Sequence, residues 1–184
     1  MQTEIIIAGF GGQGVLFAGT LLAQAAIEEN KQTTWFPLYG AEIRGGTAYS
    51  TVIISDDEIG SPLVTNPSVL IALNEQSFRK FFPKTKDGAT MIINSSLVKE
   101  KVQDSYENIV FVPATEIADR ELKDVRVANV VAIGAYLKAG GLISLESAKK
   151  ACETVLADKP KLIAINQKAL ETGYNYQQRD TVKN

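Results

Sequence analysis

The residues with the clearest capacity for chemistry are Gly9-Phe10-Gly11-Gly12-Gln13-Gly14, which follow the apolar run Ile5-Ile6-Ile7-Ala8, and Arg44-Gly45-Gly46 further along the chain. The first group is a glycine-rich turn at the end of a strand. Glycines permit the tight turn and the close approach of backbone, and the helix that follows favours negative charge at its start, so backbone amides here can face an anion. The second group places a fixed cation beside two residues with no side chain to obstruct a partner. Arginine suits bidentate contact with phosphate, with carboxylate, or with an acidic residue on another chain. Each has a plainer alternative: glycines that only let strand and helix pack closely, and a solvated loop arginine.

Gly9, Gly11 and Gly14 match the dinucleotide-binding spacing G-x-G-x-x-G, between a strand and a helix. Such a site also needs an acid at the end of the second strand to hold the ribose. Residues 33–40, Thr-Thr-Trp-Phe-Pro-Leu-Tyr-Gly, contain no acid and no arginine for a 2′-phosphate. A free-standing dinucleotide oxidoreductase of Rossmann type therefore remains the secondary reading, with a small-ligand binding module as a third.

Other reactive types are scarce. The chain has no histidine, which removes Ser-His-Asp and Cys-His arrangements and every imidazole metal site. Cys152 is the only cysteine, so the chain can supply neither a disulfide framework nor a four-cysteine iron–sulfur cluster. Its place on the apolar face of a helix marks it as a small core residue. Glu42, Asp56, Asp57 and Glu58 invite a carboxylate-pair or metal reading, but Asp56-Asp57 fits a hairpin turn better, and no metal site is expected. Asn129, in an apolar helix, must find partners, in packing or on the loop at Gly12-Gln13. Trp35, Phe36 and Tyr39 are either core or an exposed aromatic patch of the kind found at interfaces.

These groups sit in 184 residues, enough for one domain with a sizeable core. Hydrophobic residues make up 45% and charged residues 22%, the balance of a soluble globular protein. A net charge of −2, scattered without runs, draws the chain to neither nucleic acid nor anionic membrane. The N-terminus has no basic region or cleavage-type site, and the apolar stretch at residues 15–27 is short for a membrane span. A cytoplasmic protein is expected.

The elements that must hold the turn follow from periodicity. Residues 3–8 read as a strand buried on both faces, and 14–29 as a helix apolar nearly all round except for Thr20, Gln24 and Glu28. Such a helix needs cover beyond its sheet side, from another subunit or from a helix of the same chain. Residues 33–36 form a short strand ended by Pro37, and 37–47 an irregular stretch. Residues 48–55 form a strand, with Asp56-Asp57 turning and residues 58–60 returning from it. Further strands are expected at 68–73, 90–94 and 108–112, with a short helix at 76–82 stopped by Pro83. Helices follow at 115–123, 127–138, 145–157 (N-capped by Ser144) and from Pro160 to about Tyr174. The fold class is α/β: a three-layer αβα Rossmann-like domain with a mainly parallel sheet and a helical C-terminal part. One domain is expected over residues 1–176, with a loose tail at 177–184.

In combination these segments resemble the gamma subunit of the 2-oxoacid:ferredoxin (or flavodoxin) oxidoreductases. The resemblance runs from Gly9 to Val15, through residues 35–48 and 52–62, to residues 129–135 and 166–174, in order and over almost the whole chain. It implies a subunit, not catalytic alone, of a complex that oxidatively decarboxylates a 2-oxoacid with coenzyme A to acyl-CoA and carbon dioxide. It implies alpha, beta (thiamine diphosphate) and delta (ferredoxin-like) partner subunits, with thiamine diphosphate and [4Fe-4S] clusters held by these companions. Ferredoxin or flavodoxin is the implied electron acceptor. Residues 35–48 look more like branches acting on 2-oxoglutarate or branched-chain 2-oxoacids than like the pyruvate or indolepyruvate branches. Ala41, where proline is expected, and Asn74-Glu75-Gln76, where Asn-Gln is more usual, are departures. By this resemblance Gly11, Gly12, Gln13 and Gly14 form an anion-receptive turn, with Arg44, Gly45 and Gly46 beside it at a subunit junction, positioned to shape the active-site entrance or meet CoA phosphates.

Overall fold

The computed structural model describes residues 1–39, 47–100 and 108–177. Its centre is strand β1, Gln2–Phe10, whose residues Ile5, Ile6, Ile7 and Ala8 are almost wholly removed from solvent. Alternate side chains of a strand point to opposite faces, so a run apolar at every position needs cover on both. That cover exists. On one face Ile5 and Ile7 join Val52, Ile54, Val69, Ile71, Ile92 and Val112 in the main core. On the other, Ile6 and Ala8 pack with Leu70, Ala72, Met91 and Ile93.

Six strands form one sheet: β1, β2 (Gln32–Tyr39), β3 (Thr47–Ser55), β4 (Val69–Ala72), β5 (Thr90–Asn94) and β6 (Ile109–Val112), in the order β2-β3-β1-β4-β5-β6. β1, β4, β5 and β6 are parallel neighbours, whereas β3 runs antiparallel to both β1 and β2. The expected fold class holds, with one antiparallel strand, β3, set second from the edge of the sheet.

Helix α1 (Val15–Glu28) is apolar over most of its circumference because the chain covers it on more than one side. It lies on the sheet beside β2 and β3, and α5 (Leu145–Val155) closes its outer side. Of its polar stripe, Thr20 bonds back to the Leu16 carbonyl, and Glu28 takes a hydrogen bond from Gln24 and pairs with Lys150 of α5 at 2.7 Å. The second cover is thus a helix of the same chain. The short helices α2 (Glu75–Phe81) and α3 (Ala114–Arg120) follow β4 and β6. Helix α4 (Ala128–Lys138) crosses α6 (Ile163–Tyr174) closely: a methyl at Gly134 would strike the Leu170 carbonyl, and one at Gly173 the Val131 carbonyl. Absent side chains at the crossing let the axes approach.

Three expectations are corrected. β2 does not end before Pro37 but carries it opposite Ser50. β2 is an edge strand, with only one side committed to a ladder, and there proline is tolerated. Asp56-Asp57 is not a hairpin turn, because β3 already pairs with β1 and β2 and no strand returns along residues 58–60. Asp56 instead binds Lys31 at 2.7 Å and the N-terminal ammonium at 3.2 Å. Lastly, the helices expected from Val127 and Pro160 open as 3-10 turns, Val125–Val127 and Pro160–Leu162, and become α-helical only at Ala128 and Ile163. Residues 178–184 of the expected tail lie outside the described residues. Among the described residues no helix is long and apolar enough to cross a membrane.

Candidate functional site

The glycine turn stands at the C-terminal ends of the parallel strands, where crevices form in open α/β sheets. β1 ends at Phe10, the Gln13 N–H closes the turn on the Phe10 carbonyl at 3.1 Å, and α1 starts at Val15. Gly12 and Gly14 have φ of +102° and +68°, left-handed backbone that side chains disfavour. Gly9 serves space instead, since a Cβ there would lie 2.5 Å from the Gln13 side-chain oxygen. Gly11 is different. It is exposed, and no atom comes within 4 Å of where its Cβ would be.

Side-chain amides tie this turn to its neighbours. Gln13 Oε1 accepts from the Phe10 N–H at 2.9 Å and from Asn74 Nδ2 at 3.3 Å, while Gln13 Nε2 donates to the Leu73 carbonyl at 3.3 Å. Asn74 in turn caps α2, its Oδ1 accepting from the Ser77 N–H at 2.8 Å. At the next strand end, buried Asn94 donates to the Leu73 carbonyl at 3.0 Å and to the Thr115 hydroxyl at 2.8 Å. From α4, Asn129 Nδ2 donates to the Gly14 carbonyl at 2.8 Å. Asn129 therefore does reach the glycine loop, one residue past Gly12-Gln13.

Beside this belt of amides opens a cleft of about 230 Å³, lined among others by Gly12, Gln13, Asn94, Thr115, Arg126 and Asn129. Arg126 carries the cleft's ionic charge. It is exposed, and its guanidinium grips Asp124 through Nε at 2.8 Å and an amino nitrogen at 2.7 Å. That guanidinium holds the Asp124 carboxyl below its ordinary range. The cleft thus offers hydrogen bonds, one guanidinium and shape, and among the described residues that line it there is no cysteine, lysine or carboxylate.

Arg44, Gly45 and Gly46 lie outside the described residues, as do Ala41 and Glu42. Their flanks are placed: Tyr39 pairs with Ala48, and Thr47 pairs with Phe10, the residue that leads into the glycine turn. Thr47 thus stands beside the turn, whereas Tyr39 lies two strands away across β3. Cys152 is fully buried in α5 and burial pushes its thiol up to about 12, the core role expected of it. Among the described residues no three His, Cys, Asp or Glu side chains gather as a metal site. Trp35 and Phe36 prove to be exposed, at 37% and 47%.

Asn94, Thr115 and Arg126 escaped the sequence reading. An asparagine closing an apolar strand, Met-Ile-Ile-Asn, was the available signal for the first; the other two carry none.

The family model for pyruvate ferredoxin/flavodoxin oxidoreductase matches residues 4–176. The chain belongs to this family. It is 41% identical over 174 residues to the ketoisovalerate oxidoreductase subunit VorA of Methanothermobacter thermautotrophicus, covering 94% of this chain and 36% of that protein. It is 37% identical over 163 residues to the 2-oxoglutarate synthase subunit KorC of Methanocaldococcus jannaschii, covering 88% and 86%. The gamma subunit of a keto/oxoacid ferredoxin oxidoreductase from Geobacter sulfurreducens shares the fold with a TM-score of 0.80 and 33% identity over 94% of this chain and 96% of that one. The chain therefore spans about a third of VorA but most of KorC. Family membership explains why the dinucleotide spacing lacks its acid. In this fold β3 lies between β1 and β2, moving the end of β2 two strand spacings, about 10 Å, from the turn. A ribose acid on β2 would stand too far away.

Proposed function

We propose that this chain is the gamma-type subunit of a 2-oxoacid:ferredoxin (or flavodoxin) oxidoreductase. The reaction is 2-oxoacid + CoA + 2 oxidised ferredoxin → acyl-CoA + CO2 + 2 reduced ferredoxin + H⁺. The family match over residues 4–176 carries this reading. The substrate is 2-oxoglutarate or a branched-chain 2-oxoacid, in line with the relatives, a ketoisovalerate oxidoreductase subunit and a 2-oxoglutarate synthase subunit. The chain works with alpha, beta and delta subunits. Thiamine diphosphate, which stabilises the carbanion left by decarboxylation, and the [4Fe-4S] clusters that carry electrons belong to those partners. The donor set of this chain agrees: one buried cysteine and no histidine cannot ligate a four-cysteine cluster.

This chain's own part is positional. Gly11, Gly12, Gln13 and Gly14, with Arg44, Gly45 and Gly46, form an anion-receptive junction that shapes the entrance or meets CoA phosphates. Three observations support this: the left-handed Gly12 and Gly14, the open space over Gly11, and the register that sets Thr47, the residue after 40–46, opposite Phe10. Gln13 acts indirectly here, its side chain bracing the turn.

The deciding experiment is anaerobic co-purification of the chain with a thiamine-dependent subunit and a ferredoxin-like subunit, followed by CoA-dependent reduction of ferredoxin by 2-oxoacids. Turnover that needs this chain is expected. An isolated chain that binds NAD(P) or FAD in calorimetry, and co-purifies with neither subunit, would overturn the proposal. For the junction, Arg44→Ala is expected to raise the KM for CoA; unchanged assembly and unchanged CoA kinetics would remove that role.

A further inference from the structure

β2 is an edge strand of eight residues, Gln-Thr-Thr-Trp-Phe-Pro-Leu-Tyr, with no charged side chain. Among the described residues nothing pairs with its outer side. Long exposed edges are normally guarded by lysine, by inward charge, or by shortness. The opposite edge follows that rule, since β6 has only four residues and stops at Pro113. β2 keeps a single guard, Pro37, which lacks the N–H that an added strand would need.

The two exposed aromatics straddle this edge, because neighbours in a strand point to opposite faces. Trp35 is seated on α1, where Gly19 leaves room for it: a Cβ at Gly19 would lie 2.5 Å from the indole nitrogen. Phe36 emerges on the other face with nearly half its surface in water. An uncharged edge flanked by a seated indole and a free phenyl ring has the composition of an interface core, not of a solvated surface.

We propose that the β2 edge, through Trp35 and Phe36, is the docking surface for a companion oxidoreductase polypeptide, the counterpart of the part of VorA that lies beyond the match. This rests on the reading of the chain as one subunit of that enzyme. The relatives point to this occupant. The same fold is 36% of VorA but fills 86% of KorC and 96% of the Geobacter gamma subunit, so it occurs both joined to further polypeptide and apart from it. A module that assembles without a covalent link must hold its companion by surface contacts alone, and apolar, aromatic contacts supply most of such affinity. A second copy of this chain is the poorer occupant, because Pro37 interrupts the ladder that edge-to-edge pairing would use. The contact is therefore made by side chains, with Phe36 entering an apolar recess of the companion.

The test compares the isolated chain with the complex co-purified under anaerobic conditions. Amide exchange in residues 32–36 is expected to slow on assembly. Phe36→Ser is expected to weaken assembly about tenfold or more, the scale of one lost aromatic anchor, while Phe36→Tyr retains it. Thermal melting of the isolated variants separates lost docking from lost folding. Trp35, the chain's only tryptophan, is expected to keep the same emission at every concentration of the isolated chain. A complex that forms with unchanged exchange at β2 and is indifferent to Phe36→Ser overturns this proposal and leaves the subunit reading standing. Failure of any complex to form overturns both. A concentration-dependent blue shift of Trp35 in the isolated chain makes the occupant a second copy and overturns the choice of companion.

Discussion

The glycine turn and the β2 edge stand near one another across β3, and they spend their residues in opposite ways. At the turn, the functional-looking side chains face inward. Both ends of the Gln13 amide and the nitrogen of the Asn129 amide are engaged by the chain itself. At the edge, residues of no chemical distinction are left open, and Phe36 faces water. At these two places the amide side chains build scaffold, while what is left open is glycine backbone at Gly11 and the aromatic carbon of Phe36. That division agrees with the proposed role as a subunit.

The contrast can be broken first at Gly14. Gly14→Ala forces an alanine into left-handed backbone and drives a methyl to 2.5 Å from the Asn129 amide nitrogen. A loss of about 2–4 kcal/mol is expected from the strain and the displaced hydrogen bond, read as a lower urea midpoint. Asn129→Leu should follow with about 1–2 kcal/mol, because the part-buried Gly14 carbonyl loses the side-chain donor while keeping its helical bond from Ala18. Gln13→Ala removes three modest hydrogen bonds at a part-exposed position, so about 1–2 kcal/mol is expected in the same measurement. Phe36→Ser, by contrast, should leave the stability of the isolated chain within about 0.5 kcal/mol, as befits a surface position. A large loss there would place Phe36 in the scaffold and erase the distinction.

The smallest effect is expected from pH. Neither region holds a group that titrates near neutrality, and the chain lacks histidine. Elsewhere Lys150, Lys31 and Arg126 hold the carboxyls of Glu28, Asp56 and Asp124 below their ordinary range. Lowered carboxyls add stability that is present above the ordinary carboxylate pKa of about 4 and is lost as pH falls through their folded values. The melting temperature should therefore be level from about pH 5.5 to 8 and drop below about pH 4. A step near pH 6–7 would contradict this.

Much of the scaffold was legible because its causes are local. Gly12 and Gly14 announce a turn that only glycine makes easily, Ser144 announces the cap whose Oγ accepts from the Ser147 N–H, and the spacing of Ala148 and Cys152 announces the buried face of α5. The insertion of β3 between β1 and β2 was not legible, since strand neighbours are chosen by partners distant in sequence, as Ile5 opposite Val52 shows. The same blindness hid Pro37 inside a strand: whether proline is tolerated depends on which side of β2 is left unpaired. It also hid Asn94, whose partners Leu73 and Thr115 each lie 21 residues away.

The single thiol has a practical consequence. Cys152 is sealed within α5 and resists ionisation, so the native chain presents no reactive sulfur to alkylating probes. A cysteine introduced at any exposed position would then be the chain's one addressable handle, free of background. The same trait leaves oxidants no accessible thiol on this polypeptide.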